Sequence, residues 1–85
     1  MPFGRAMHLD NAARLVPVFD PALRTFSVQL WKSGVPAGIH GLIEDFTDAN
    51  SAVESINAFL QSARVRELTS QELSDLVKEL ALIKG

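Results

Sequence analysis

Two histidines, a handful of carboxylates, one tight pair of arginines and a single tryptophan carry the chemical potential of this 85-residue chain. A protein metal site gathers three or four ligands at about 2 Å. His8 lies in a segment with no readable periodicity, and His40 has Glu44 four residues on. On an extended strand that spacing puts the two side chains about 13 Å apart, too far to share one ion. Glu44 and Asp45 are neighbours, and neighbours on a strand point to opposite faces, so they do not form an acid–base dyad. Asp48 follows Thr47 just before a helical pattern and reads as an N-cap. Arg64 and Arg66 share a face if their segment is extended. They are a weak candidate for anion binding, against the plainer reading of ion pairing with acidic helices. There is no G-x-S-x-G, Walker loop, H-E-x-x-H or calcium-loop pattern. Gly34, Gly38 and Gly41 lead into a strand, not a helix, and so lack the helix N-terminal donors of a phosphate cradle. No pattern asks for a metal or a cofactor, and enzymatic activity is the weaker reading.

Trp31 is the more informative residue. In Thr25-Phe26-Ser27-Val28-Gln29-Leu30-Trp31-Lys32 apolar and polar residues alternate with period two, the mark of a strand with unlike faces. Phe26, Val28 and Leu30 form the core set. Thr25, Ser27, Gln29 and Trp31 form the other face. A large aromatic among hydroxyl and amide groups wants a partner.

The elements that hold these residues follow from the remaining pattern. Leu15-Val16-Pro17-Val18-Phe19 reads as a strand whose Pro17 favours an edge or an outward-facing nitrogen, and Asp20-Pro21 is a turn signal. Ser33–Gly38 reads as a loop. Ile39–Phe46 reads as a third strand, with Ile39 and Ile43 on one side and His40, Leu42 and Glu44 on the other. From residue 49 the period becomes 3.6. Ala52, Val53, Ile56, Phe59 and Leu60 stripe one helix over 49–63. Thr69-Ser70-Gln71-Glu72 is a capping box opening a second helix striped by Leu73, Leu76, Val77, Leu80 and Ile83. Residues 64–68 suit a short fourth strand or an extended connector. In residues 1–13, Asp10 could cap a short turn, or the whole segment could be a loose arm. The predicted fold is α+β: a three- to four-stranded antiparallel meander with two amphipathic helices on one face, in the order β-β-β-α-(β)-α.

Composition sets the outer bounds. Eighty-five residues make one domain that buries roughly 60–65% of its unfolded surface. With no cysteine to staple it, self-association is a natural source of added stability. Ten acidic against eight basic residues, scattered along the chain, argue against nucleic acid. No segment has the ~20 apolar residues of a membrane span, and no signal peptide is evident, so a cytoplasmic location is expected.

Two helices cover one sheet face. The other should collect Ser27, Gln29, Trp31, His40, Leu42 and Glu44, with apolar area from the first strand. The leading expectation is a homo-oligomer, a dimer or higher, formed through that face. The competing expectations are that Phe3, Met7 and Leu9 fold back over it, or that a small-molecule ligand stacks on Trp31 near His40. A further alternative is an antitoxin- or immunity-type protein that binds a basic partner.

Overall fold

A computed structural model describes residues 3–9 and 12–84. It shows the α+β fold read from the sequence: a four-stranded antiparallel meander, then helices packed on one face. The strands are β1 (Met7–His8), β2 (Ala13–Asp20), β3 (Thr25–Lys32) and β4 (Val35–His40). The helices are α1 (Ala49–Glu54), α2 (Ile56–Ser62) and α3 (Ser70–Lys84).

The hairpin β2–β3 is the spine, paired without a slip from Ala13↔Lys32 to Asp20↔Thr25. Its turn is held by Asp20, whose Oδ1 accepts from the Ala22 and Leu23 N–H groups at 3.0 and 3.3 Å. Leu15, Phe19, Phe26, Val28 and Leu30 point from this hairpin into the core. There they meet Ala52, Ile56, Leu60, Leu76 and Leu80, each at most 1% exposed. The alternation read for β3 is therefore the alternation found.

The fourth strand is β1, at the N-terminal end, and not residues 64–68. Met7 pairs with Leu15 and His8 with Arg14, and Phe3 makes an isolated bridge to Val18. Pro17 explains the interruption between them. Its carbonyl accepts from the Gly4 N–H at 2.9 Å, so its ring nitrogen also faces the arm, where it has no hydrogen to donate. Pro17 thus sits inside the sheet, on the side where the ladder breaks. Of the arm residues, Leu9 enters the helix-covered core and Met7 packs against it. The Asp10 turn lies outside the described residues.

β4 begins four residues earlier than read, because Ser33 and Gly34 make a two-residue turn. Both have positive φ, 52° and 79°, the backbone of a tight hairpin of type I′. A register shift follows, with Leu30 opposite Gly38 but Trp31 opposite Pro36. The strand then ends at His40. Gly41 turns the chain with φ 102°, where a Cβ would lie 2.8 Å from the Phe26 carbonyl oxygen. Residues 41–44 are a turn, and Phe46 returns to bridge Phe26.

Asp48 is the N-cap of α1, accepting from the Ser51 N–H at 2.8 Å. The helix expected over 49–63 is broken at Ser55, with φ −105° and ψ 8°, where the hydroxyl meets His40 in place of a helix carbonyl. α2 ends in a left-handed Arg64, φ 60°, and the Val65 N–H returns to the Leu60 carbonyl at 2.9 Å. Lys32 adds its ammonium to the Ala63 carbonyl at 2.6 Å. This C-terminal cap is what prevents a strand at 64–68. The chain beyond it is an extended connector whose Leu68 N–H donates to Asn57 Oδ1 at 2.8 Å. The capping box of α3 is complete: Glu72 N–H donates to Thr69 Oγ1 at 3.1 Å and Thr69 N–H to Glu72 Oε1 at 2.9 Å. No helix among the described residues is long and apolar enough to cross a membrane.

Candidate functional site

α1 and α3 lie against β3 and β2 on one side of the sheet. The outer side chains of β2, β3 and β4 make up the opposite face. Cross-strand partners point to the same side, so this face carries Arg14 with Trp31, Val16 with Gln29, Val18 with Ser27, and Ile39 beside Gln29. Trp31 is half-buried. Its indole N–H donates to Gln29 Oε1 at 3.0 Å, and the Arg14 guanidinium carbon lies 5.1 Å from its ring centroid. Those two contacts fix the indole against its own strand and the neighbouring one.

From Ile39 toward the β2–β3 turn the face is apolar and open. Phe3 is 57% exposed, Leu23 68%, Ile39 42% and Leu42 70%. Leu23, Ile39 and Leu42 rim a recess of about 230 Å³ floored by Val18, Ser27 and Gln29, with Asp20 and Asp45 on its border. A second hollow, of about 220 Å³, lies between Trp31, Pro36, Gly38 and Ile39. Each is smaller than the ~300–1,000 Å³ that usually encloses a small-molecule ligand.

Charge on this face is divided lengthwise. Arg14 lies at the Trp31 end, and among the described residues no carboxylate pairs with it. Its Nε is shielded from solvent and has no hydrogen-bond partner. The two carboxylates bordering the recess, Asp20 and Asp45, lie at the other end of the hairpin.

Of the residues expected on this face, Ser27, Gln29, Trp31 and Leu42 lie there. His40 and Glu44 do not. A one-residue phase error in β4 exchanged its faces: Ile39 points outward and His40 inward. The core position opposite Leu30 belongs to Gly38, where a Cβ would crowd the Phe59 ring at 3.2 Å.

His40 is 5% exposed and wedged between Phe46 and Phe59, whose ring centroids are each 5.0 Å away. Its Nε2 is 2.9 Å from Ser55 Oγ. The turn at 41–44 carries Glu44 back, so that its Oε2 is 3.7 Å from His40 Nδ1, where an extended strand would have separated them. Serine, imidazole and carboxylate therefore lie in the order of a hydrolytic triad. The two phenyl rings leave no room for a substrate beside the imidazole, so the cluster serves to pin the α1–α2 break to β4. Burial holds the His40 pKa below the ordinary histidine value, against the opposing pull of Glu44 and of the Ala52 backbone.

Arg64 is exposed, at the helix end. Arg66 is engaged by Glu72 through two bonds of 2.8 Å, the ion pairing expected of it. This guanidinium, with the cap from Thr69, pulls the Glu72 pKa down to about 2. Among the described residues no three His, Cys, Asp or Glu side chains gather as metal ligands would. Sequence reasoning passed over Arg14, Leu23 and Ser55. Arg14 had a usable signal, since it directly precedes the apolar run Leu15–Phe19 and is itself the cross-strand partner of Trp31. No family model, curated protein or solved structure matches this chain.

Proposed function

We propose that this protein is a small interaction module that associates with a second copy of itself through the outer face of its sheet. The observation that carries this reading is the exposed apolar patch of Leu23, Ile39 and Leu42, with Phe3 opposite Val18, on the same face as Trp31, which no helix covers. Exposed apolar area gathered in one place marks an interface more often than scattered single residues do, and tryptophan and arginine are enriched among interface anchors.

The sheet edges are poorer candidates. β1 is two residues long, and β4 carries Pro36 next to a register shift, both of which blunt strand-to-strand addition. The face spans about 20 Å along β2 and about 15 Å across three strands with their side chains. Pairing two such faces encloses about 600 Å² of flat area, which places the pair among small, transient interfaces and sets the expectation of a weak dimer. The two hollows on this face are better matched to interdigitating side chains than to an enclosed ligand.

Dilution tests this reading. The Trp31 emission of a dimer should shift to the red as the protein is diluted through the micromolar range, because the indole loses its cover. Trp31→Ser should dissociate the pair while far-ultraviolet circular dichroism keeps the helix signal. Emission independent of concentration, together with a monomer mass, contradicts the proposal.

A further inference from the structure

We infer that the two copies pack face to face with their strands running in opposite senses, so that Arg14 of each meets Asp20 and Asp45 of the other. The inference rests on the self-association proposed above and adds its symmetry and its polar contacts.

It begins from an unbalanced cation. The Arg14 guanidinium rests on Trp31, its Nε is enclosed without an acceptor, and no carboxylate among the described residues pairs with it. The part of the guanidinium beyond the enclosed Nε is what an incoming carboxylate can engage. The carboxylates that border the same face are Asp20 and Asp45. Asp20 is six residues along β2 from Arg14, about 20 Å away, so they cannot meet within one chain. Asp20 uses its Oδ1 in its own turn, which leaves Oδ2 for an outside donor. Arg24 sits in the same turn but does not line the recess.

A two-fold pair makes each contact twice, and its axis lies in the plane between the sheets. An axis along the strands would set Arg14 on Arg14 and the aspartates on one another. An axis across the strands sets the positive end of each face on the negative end of the other, with Trp31 and the recess between. Like charges opposed at an interface cost more than a weak dimer can absorb, so the second arrangement is the one this charge pattern allows.

Mixing experiments distinguish the two. Arg14→Glu alone should weaken self-association about tenfold or more, as about 1.4 kcal/mol per lost pair implies. Arg14→Gln, which makes no new repulsion, should weaken it less. Asp45→Lys spares the Asp20 turn and should also weaken it. Arg14→Glu mixed with Asp45→Lys should form a heterodimer tighter than either variant with itself, read by native mass spectrometry. A heterodimer of Arg14→Glu with wild type that is tighter than the wild-type pair would establish the parallel arrangement and overturn the inference. Folded variants that all associate like wild type overturn it as well and leave self-association standing. A wild-type protein that stays monomeric overturns both.

Discussion

Acidification from pH 8 to 5.5 should destabilise this protein through His40, and the size of the effect is bounded by the structure. The imidazole is enclosed by two phenyl rings and bonded to Ser55, and its folded-state pKa lies below the ordinary value of 6.5. In that range the unfolded chain binds a proton that the folded chain refuses, so stability rises with pH. The His40 contribution is complete above pH 6.5 and is lost as the pH falls below it. One proton limits the slope to about 1.4 kcal/mol per pH unit, which for a domain of this size is a midpoint change of at most roughly 5–10 °C per unit. Thermal unfolding followed by circular dichroism at half-unit steps measures it. His40→Gln, which does not titrate, should be less stable at pH 8 and flat across the window. Ser55→Ala strips Nε2 of its partner and should cost about 1–3 kcal/mol at pH 8. A wild-type midpoint that is constant from pH 8 to 5.5, or a slope that survives in His40→Gln, refutes the placement of His40.

Other outcomes follow from single contacts. Glu72→Gln should remove a stabilising effect that is whole above the ordinary glutamate value of 4.5 and fades as the pH falls toward the folded value of about 2, so the variant and wild type should converge in acid denaturation. Gly41→Ala forces a Cβ against the Phe26 carbonyl at positive φ and should cost more than about 1 kcal/mol in urea unfolding. Leu60→Ala empties a fully buried position where α2 meets the sheet and should cost about 2–5 kcal/mol, enough to unfold much of a marginal domain at 37 °C. Lys32→Met removes the ammonium from the Ala63 carbonyl and should raise amide exchange in the last turn of α2 before it changes the global midpoint.

The fold was largely legible because its strongest signals are local and agree with one another. The period-two run of β3, the Asp48 cap and the Thr69–Glu72 box each state an element and its limit, and packing honours all three. The misreadings share a cause: a local rule yielded to a partner distant in sequence. β4 was shifted because the Ser33–Gly34 turn is two residues long, and the glycines after it read as more loop. The 64–68 strand was lost to a helix cap formed with residues already placed, Leu60 and Gln61. β1 was hidden because a two-residue strand has no period, and only the edge of β2 gives it a reason to form. At the site, Trp31 and Gln29 were legible as exceptions on a patterned strand. His40 was not, since a histidine buried by Phe46 and Phe59 looks, in sequence, like one left in water.

Sedimentation equilibrium of the wild-type chain at several loadings, from below micromolar to tens of micromolar, bears most directly on association through the uncovered face, with Ile39→Glu run alongside. The account predicts a wild-type mass that rises from 9.3 kDa to twice that value. The variant should stay at the lower mass at every loading while keeping its circular dichroism. A wild-type mass of one chain throughout, or a folded variant that doubles its mass as readily as wild type, contradicts it.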